Sequence, residues 1–412
     1  MTGGVLIPTG CQMKSYACMR SLNRRGVRTI VASEQARIPH FSSRYCSERV
    51  RLGAPPEDVS AYKDELLRIA GRPDVDTVVP VRECDVYVFA KYRAQFNEHV
   101  SLVTPRFETL RKVHDRLRLA EEAADAGVPT ARTRLLSEAD EWDTDVVIKS
   151  RYNVVTDDYV DSFPADTAAE RKHVLFLPAG VGPDVASLRE KLQHDPVVQD
   201  FIPQADKHLY CALWDHGEPL ATYQHRQIRQ NSWVGGGGVY RRSVHSEEVQ
   251  DAAYDLLSHL EWHGLVCIEY IQDATTGEWK FLEINPRVWQ SLPEAVRAGA
   301  DFPYYYWLCA RGEPERIDPA YEIGVASHIT YGEVSHLLSI LRDESPFVER
   351  PSFRGTLWDI GKSFVTDPHF DYVRLDDPGL FIEAVRETLS SGVTASRQYE
   401  SEHADGAVGN PS

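Results

Sequence analysis

The stretch Gly264-Leu-Val-Cys-Ile-Glu269-Tyr-Ile-Gln-Asp-Ala-Thr-Thr-Gly-Glu-Trp-Lys-Phe-Leu-Glu283-Ile-Asn285-Pro-Arg287 carries the most information in this chain. Two alternating segments flank Thr275-Thr276-Gly277, which predicts an antiparallel hairpin. With the turn centred on Thr276, Glu269 falls opposite Glu283. Like charges opposed across a ladder repel, and Asn285, two residues along, shares the face of Glu283. The resulting oxygen-rich cluster is one that a cation would neutralise. Mg²⁺ suits it, because Mg²⁺ takes one or two carboxylates and completes its shell with waters and phosphate oxygens. Arg287 is then near enough to meet a phosphoryl oxygen or an anionic substrate. An exposed hairpin with solvated carboxylates is the plain alternative for such a Glu pair, and the following Asn285-Pro286-Arg287 argues against it.

Upstream, Ser246 caps a predicted helix with Val249, Ala253, Leu256, Leu257 and Leu260 on one face, Glu247 and Glu248 at its positive end and Gly264 as its stop. That apolar face should pack on the sheet that follows. At the other end of the chain, Gly4 to Gly10 reads as a strand and turn, followed by a helix to Arg25 that Gly26 closes. Strands are expected at Val27 to Ala32, Thr77 to Val81 and Val100 to Val103, with a helix from Asp85 to Phe96, a βαβ rhythm of parallel sheet. The first turn lacks G-x-G-x-x-G and no acid ends the second strand, so a dinucleotide site is not supported. Residues 105 to 127 read as two helices with Asp115 as a cap and Gly127 as the stop. Beyond them lie a strand at Asp145 to Ser150, a helix at Ser187 to Gln193 and a buried strand at Val197 to Ile202. A mixed extension starts near 313, with a last helix near Leu380 to Leu389 and a polar tail from 396 that reads as disordered.

Composition limits the function. With 412 residues the chain should form two or three packed units. A net charge of −17 and no dense basic cluster disfavour nucleic-acid binding. No signal-peptide pattern or long apolar run appears, so no membrane span and a cytoplasmic location are expected. The seven cysteines (Cys11, Cys18, Cys46, Cys84, Cys211, Cys267, Cys309) never take C-x-x-C spacing, which argues against a disulfide frame or a cysteine zinc site. Only 10 of the 45 basic residues are Lys, and the acid-rich surface this implies suggests salt adaptation.

Glu283-Ile-Asn285-Pro-Arg287, with Glu269 upstream, resembles the metal-binding signature of the ATP-grasp superfamily. The resemblance implies that Glu269, Glu283 and Asn285 ligate the Mg²⁺ (or Mn²⁺) bound to ATP and that Arg287 stabilises the transferring phosphoryl group. Other segments match in order from about residue 3 to 312. Val146-Val147-Ile148-Lys149 resembles the strand whose Lys contacts the nucleotide phosphates, and Val198-Gln199-Asp200-Phe201-Ile202-Pro203 the hinge strand that holds adenine. The run Thr222 to Arg229, with Arg226 as the candidate anion-binding residue, precedes Gly235 to Gly238, read as a turn or loop near the substrate. His225 reads as a structural polar residue. The segment after Lys149 departs from the pattern: Ser150 replaces a common Pro, residues 150 to 180 hold few glycines, and Lys172 is only a weak match for a second phosphate-contacting Lys.

The fold implied is α/β and α+β: a Rossmann-like parallel-sheet domain over 1–105, then an ATP-grasp domain over 106–312 of two α+β subdomains that clasp ATP. The latter divides into a helical linker (106–130), a small nucleotide-clasping subdomain (131–203) and a metal and substrate subdomain (204–312). An extension (313–395) and tail (396–412) follow. The activity implied is a C–N bond-forming ligation in which a small-molecule carboxylate is activated as an acylphosphate and captured by an amine, with Lys149, Arg226 and Arg287 stabilising the moving charge. A phosphotransferase or carboxylase with another acceptor, or a non-catalytic ATP-binding regulatory protein, are the alternatives, and a homodimer is compatible. Specificity is expected around Thr9, Gly10 and Glu83 and around Gly235 to Tyr240.

Overall fold

A computed structural model of the chain describes residues 3–10, 12–372, 376–380 and 382. The first unit runs β1 (Gly4–Ile7), α1 (Met13–Arg24), β2 (Arg28–Ser33), β3 (Glu48–Arg51), α2 (Val59–Ala70), β4 (Val75–Val78), α3 (Glu83–Lys91) and α4 (Arg93–Asn97). Its strands form one parallel sheet in the order β3-β2-β1-β4. Gly26 ends α1 with φ +79°, a conformation that favours glycine. The expected strand at Val100 to Val103 does not form. The segment runs beside β4 through Ser101 N donating to Asp76 O and Thr77 Oγ1 donating to Ser101 O. The fourth strand is β3, an edge strand of charged and alternately exposed residues whose Glu48 meets Arg28 and Arg72.

α5 (Phe107–His114) and α6 (Arg116–Asp125) follow, and Asp115 caps α6 by accepting from Leu117 N. A four-stranded antiparallel sheet comes next, ordered β5-β10-β6-β9, from β5 (Thr133–Leu135), β6 (Val146–Lys149), β9 (Val174–Leu177) and β10 (Val197–Asp200), with α7 (Val185–Leu192) against it. Between β6 and β9, the two-residue strands β7 (Val155–Thr156) and β8 (Ala168–Ala169) pair with each other. This segment docks on the first unit. Val154 and Ala168 are buried in that unit's core, and Ala168 N bonds Pro55 O while Val59 N bonds Asp166 O.

The largest sheet has six strands ordered β15-β14-β11-β12-β13-β16: β11 (Gln204–Asp215), β12 (Glu218–Ser232), β13 (Gly235–Val244), β14 (Gly264–Asp273), β15 (Trp279–Asn285) and β16 (Ala326–His328). Gly235 to Gly238 therefore lie inside a strand and not in a turn. A Cβ at Gly238 would stand 2.8 Å from Gln227 Cγ, so a side chain there would displace Gln227 from its place beside β13. α8 (Glu247–His259), capped by Ser246 Oγ, buries Val249, Ala253, Leu256 and Leu257 on the outer face of the sheet against Val266, Ile268 and Ile284. At roughly 1.5–3 kcal/mol per large buried aliphatic side chain, this face anchors the helix firmly. The helix ends at His259, and Gly264 instead opens β14. α9 (Leu292–Arg297) and α10 (Phe302–Ala310) join the sheet's inner face to α1 and the first unit.

Residues beyond 312 give the sheet its sixth strand and then α11 (Thr330–Arg342) and α12 (Phe353–Thr366). Residues 378–380 and 382 are helical; the rest of the helix expected near Leu380 to Leu389, and the tail from 396, lie outside the described residues. Among the described residues no helix is long and apolar enough to cross a membrane, and six cysteines are free thiols.

Candidate active site

The β14–β15 hairpin has the register set by its turn: Glu269 pairs with Glu283, and Asn285 with Cys267. A bulge follows Glu269. At effective ε near 20, two carboxylates about 4 Å apart would repel by about 4 kcal/mol, so the fold surrounds them with cations. Lys207 Nζ, two strands in from the edge, lies 2.6 Å from Glu269 Oε2, and Arg116 Nη2 lies 3.3 Å from Glu283 Oε2. Arg116 also donates to Ser150 O at 2.7 Å, which ties the α6 N-terminus to the end of β6. Asn285 Nδ2 donates to Glu283 Oε1 at 3.1 Å, and Arg287 Nη2 donates to Asn285 Oδ1 at 2.8 Å.

Arg287 is held from behind. Its Nε pairs with Glu83 Oε1 at 2.7 Å, and Glu83 in turn faces His114 Nε2 at 3.4 Å. Burial pushes the Glu83 carboxyl up, but Arg287 and His114 reverse that and leave it at about 2. Glu283 is likewise drawn down to about 2: burial opposes ionisation, and Arg116, Lys172 and Lys149 outweigh it. Removal from water, reinforced by Arg116, lowers the Lys149 ammonium to about 8 despite Glu283 and Glu269. Lys14, in the first turn of α1, falls to about 7 through burial and the charge of Arg287.

Lys14, Arg116, Lys149, Lys207, Glu269, Glu283, Asn285 and Arg287 line one cleft of about 1840 Å³ between the four-stranded antiparallel and six-stranded sheets, with Glu83 and His114 behind its wall. Its apolar end is formed by Ala131, Val147, Ile202, Ile271 and Leu282, beside Gln199, Asp200 and Phe201. Gln199 is fixed by Thr133 Oγ1 and Asp200 by Arg134. Phe201 stacks on Phe347 with centroids 4.3 Å apart, so the loop between α11 and α12 leans over this end of the cleft. Five of the ten lysines (Lys14, Lys149, Lys172, Lys207, Lys362) line the cleft of a protein whose net charge is −17.

Lys149, Lys172, Gln199 to Ile202, Glu269, Glu283, Asn285 and Arg287 all border this cleft. Arg226 does not. It pairs with His208 across β11–β12, on the opposite face from Glu269, and its Nε meets Asp206 at 2.8 Å on an exposed surface. Register irregularities after Gln227 bring Gln227, Ile228 and Arg229 to the cleft instead. Arg229 is held there by Glu333 of α11 at 2.7 Å, and His328 Nδ1 lies 2.7 Å from the same carboxylate. Thr9 and Gly10 are buried; Thr9 Oγ1 donates to Asp85. Gln12, Met13 and Lys14 form that side of the cleft. His225 is fully buried, and burial with the nearby Arg241 holds it well below its ordinary value, so it is a neutral packing residue.

Several solved structures are similar to this chain. The biotin carboxylase domain of the Hydrogenobacter thermophilus 2-oxoglutarate carboxylase, solved with MgADP, ADP and bicarbonate, aligns with a TM-score of 0.59 at 14% identity, over 79% of this chain and 73% of that one. The L-amino acid ligase of Bacillus licheniformis aligns at 0.55 and 16%, over 77% and 78%. The chain has the ATP-grasp fold. The Rhizobium etli pyruvate carboxylase shares it at a TM-score of 0.56 and 17% identity over 76% of this chain, which spans only 28% of that longer one. No family model and no curated relative matches the sequence. Lys207 and Arg116, which also line this cleft, carry no motif in the sequence. The scarcity of lysine was the available signal for the first, and the adjacent Asp115 cap for the second.

Proposed function

We propose that the protein is an ATP- and Mg²⁺-dependent ligase that activates a small-molecule carboxylate as an acylphosphate and joins it to an amine. The observation that carries this reading is the opposed pair Glu269 and Glu283, with Asn285 beside it, in a cleft rimmed by lysines and arginines. The donor set is all oxygen, and Glu283 is kept ionised by its cationic neighbours, which fits Mg²⁺. Glu269, Glu283 and Asn285 would hold the ion, which supplies charge neutralisation at the nucleotide phosphates. Lys149, Lys207 and Arg116 gather the phosphate tail, and Lys172 reaches it from the rim. The apolar slot at Ala131, Val147, Ile202, Ile271 and Leu282 takes the adenine, with the backbone at 199–202 along its edge. Arg287, braced by Glu83, stabilises charge on the phosphoryl group as it passes to the carboxylate oxygen, and the amine then displaces phosphate from the acyl carbon. Arg229 replaces Arg226 as the residue that orients the substrate anion. No nucleophilic side chain is needed.

The amino-acid-ligating activity in the name of the Bacillus licheniformis protein supports the class of reaction. The test is ADP release from Mg-ATP in high salt against pooled amino acids and other small carboxylates, each with and without an amine. Release requiring both substrates is expected. Release with bicarbonate alone would instead support the carboxylase alternative, and none with any pool would remove the ligase reading.

A further inference from the structure

We propose that Asp215, His216 and His263 form a metal site of the zinc class, apart from the cleft, that staples the β11–β12 hairpin to the seam between the large sheet and the first unit. Among the described residues these three bring one ligand atom each within 4.8 Å of the others. Asp215 ends β11, and His216 and Gly217 make the two-residue turn with φ +50° and +88°. His263 sits just before Gly264, where a Cβ would stand 2.4 Å from Val103 O, so the backbone there is pressed against the first unit. Asp215 Oδ1 lies 2.6 Å from His216 Nδ1 and 3.1 Å from His263 Nδ1, and the two rings stack at 4.2 Å.

The second observation concerns the His263 tautomer. Its Nε2 lies 3.3 Å from Leu102 O, and since a carbonyl only accepts, the ring proton sits on Nε2. The lone pair of Nδ1 is then turned toward Asp215. That Nδ1 is buried and meets Asp215 as an ion-pair contact without hydrogen-bond geometry. A nitrogen lone pair 3.1 Å from a carboxylate oxygen is unfavourable unless a second ring proton or a metal cation lies between them, and the two cases are what the metal titration separates. A backbone carbonyl on the far nitrogen is also the usual support of a metal-ligating imidazole. Two imidazoles and one carboxylate suit Zn²⁺, Co²⁺ or Ni²⁺ and not the all-oxygen preference of Mg²⁺, and the exposed His216 side leaves room for water as a further ligand.

The full chain carrying Glu283→Gln, which weakens competition from the cleft, is stripped with a chelator and titrated with Zn²⁺ by calorimetry and with Co²⁺ by visible absorption. One equivalent is expected, with a Tm rise of roughly 2–5 °C at a hundredfold excess over Kd. His216→Asn, which keeps a residue that tolerates the left-handed turn, and His263→Gln should each weaken binding by roughly tenfold or more and remove the Co²⁺ band. No bound equivalent, or binding that survives His216→Asn, overturns the proposal. In the otherwise native chain, His216→Asn should leave ADP release unchanged, so this test stands or falls apart from the ligase reading.

Discussion

Glu283→Gln separates the electrostatic account of the cleft from a merely structural one. Glu283 lies 3.3 Å from Arg116 and accepts from Asn285, and glutamine keeps one oxygen for these donors while losing the charge. One unit charge about 4 Å from a cation, at effective ε near 20, is worth about 4 kcal/mol, so turnover should fall roughly 10²- to 10³-fold in kcat/KM. Folding responds differently. The Glu283 carboxyl is held at about 2 against an ordinary 4.5, so its contribution to stability is full above pH 4.5 and is lost as pH falls through about 2. The variant should therefore lose less Tm than the parent between pH 4.5 and 2. ADP release measured beside thermal unfolding at a series of pH values gives both numbers. Parental turnover in the variant would refute the metal assignment, and an unchanged acid limb would refute the ionised state.

Other predictions follow from the same geometry. Arg226→Ala, on the outer face, should leave turnover within about twofold, whereas Arg229→Ala should raise the KM for the carboxylate by roughly tenfold or more, since a charge-assisted bond is worth about 1.5–3 kcal/mol; steady-state kinetics on both variants checks the choice of arginine. Lys149, at about 8 in the free protein, loses its charge as pH rises through that value, so kcat/KM for ATP should fall above pH 8, and Lys149→Arg should move that fall upward. Glu294, fully buried beside Arg241, which is engaged by Asp371, is raised to about 8 by burial. Its protonated native form makes stability fall as pH rises from the ordinary 4.5 toward 8, so Glu294→Gln should raise Tm more at pH 8 than at pH 5, read by calorimetry. Phe347→Ala, which removes the ring stacked on Phe201, should raise the KM for ATP a few-fold with little change in kcat; equal changes in both would show that the loop does not border the nucleotide.

What the sequence determined by itself was local. The Thr275-Thr276-Gly277 turn and the two-residue period of its flanks fix which residues oppose each other, so the Glu269–Glu283 pairing was legible without any tertiary contact. Caps were equally legible: Asp115 and Ser246 satisfy amides two and three residues away. Tertiary structure decided which face each long strand presents. Arg226 and Arg229 look alike in sequence, but their direction depends on pairing with β11 and on irregularities in the β12–β13 register. The same holds for β3, whose charged residues show no apolar run and are recruited because the sheet edge offers partners. The 151–169 segment likewise shows no sequence sign of its partner, yet its Val154 and Ala168 pack into the core of the first unit. Lys207 and Arg116 become site residues only when strands and helices far apart in the chain converge on two half-buried carboxylates. Short-range signals thus set the hairpin and its acids, and the long-range folding of the sheets set the cations around them.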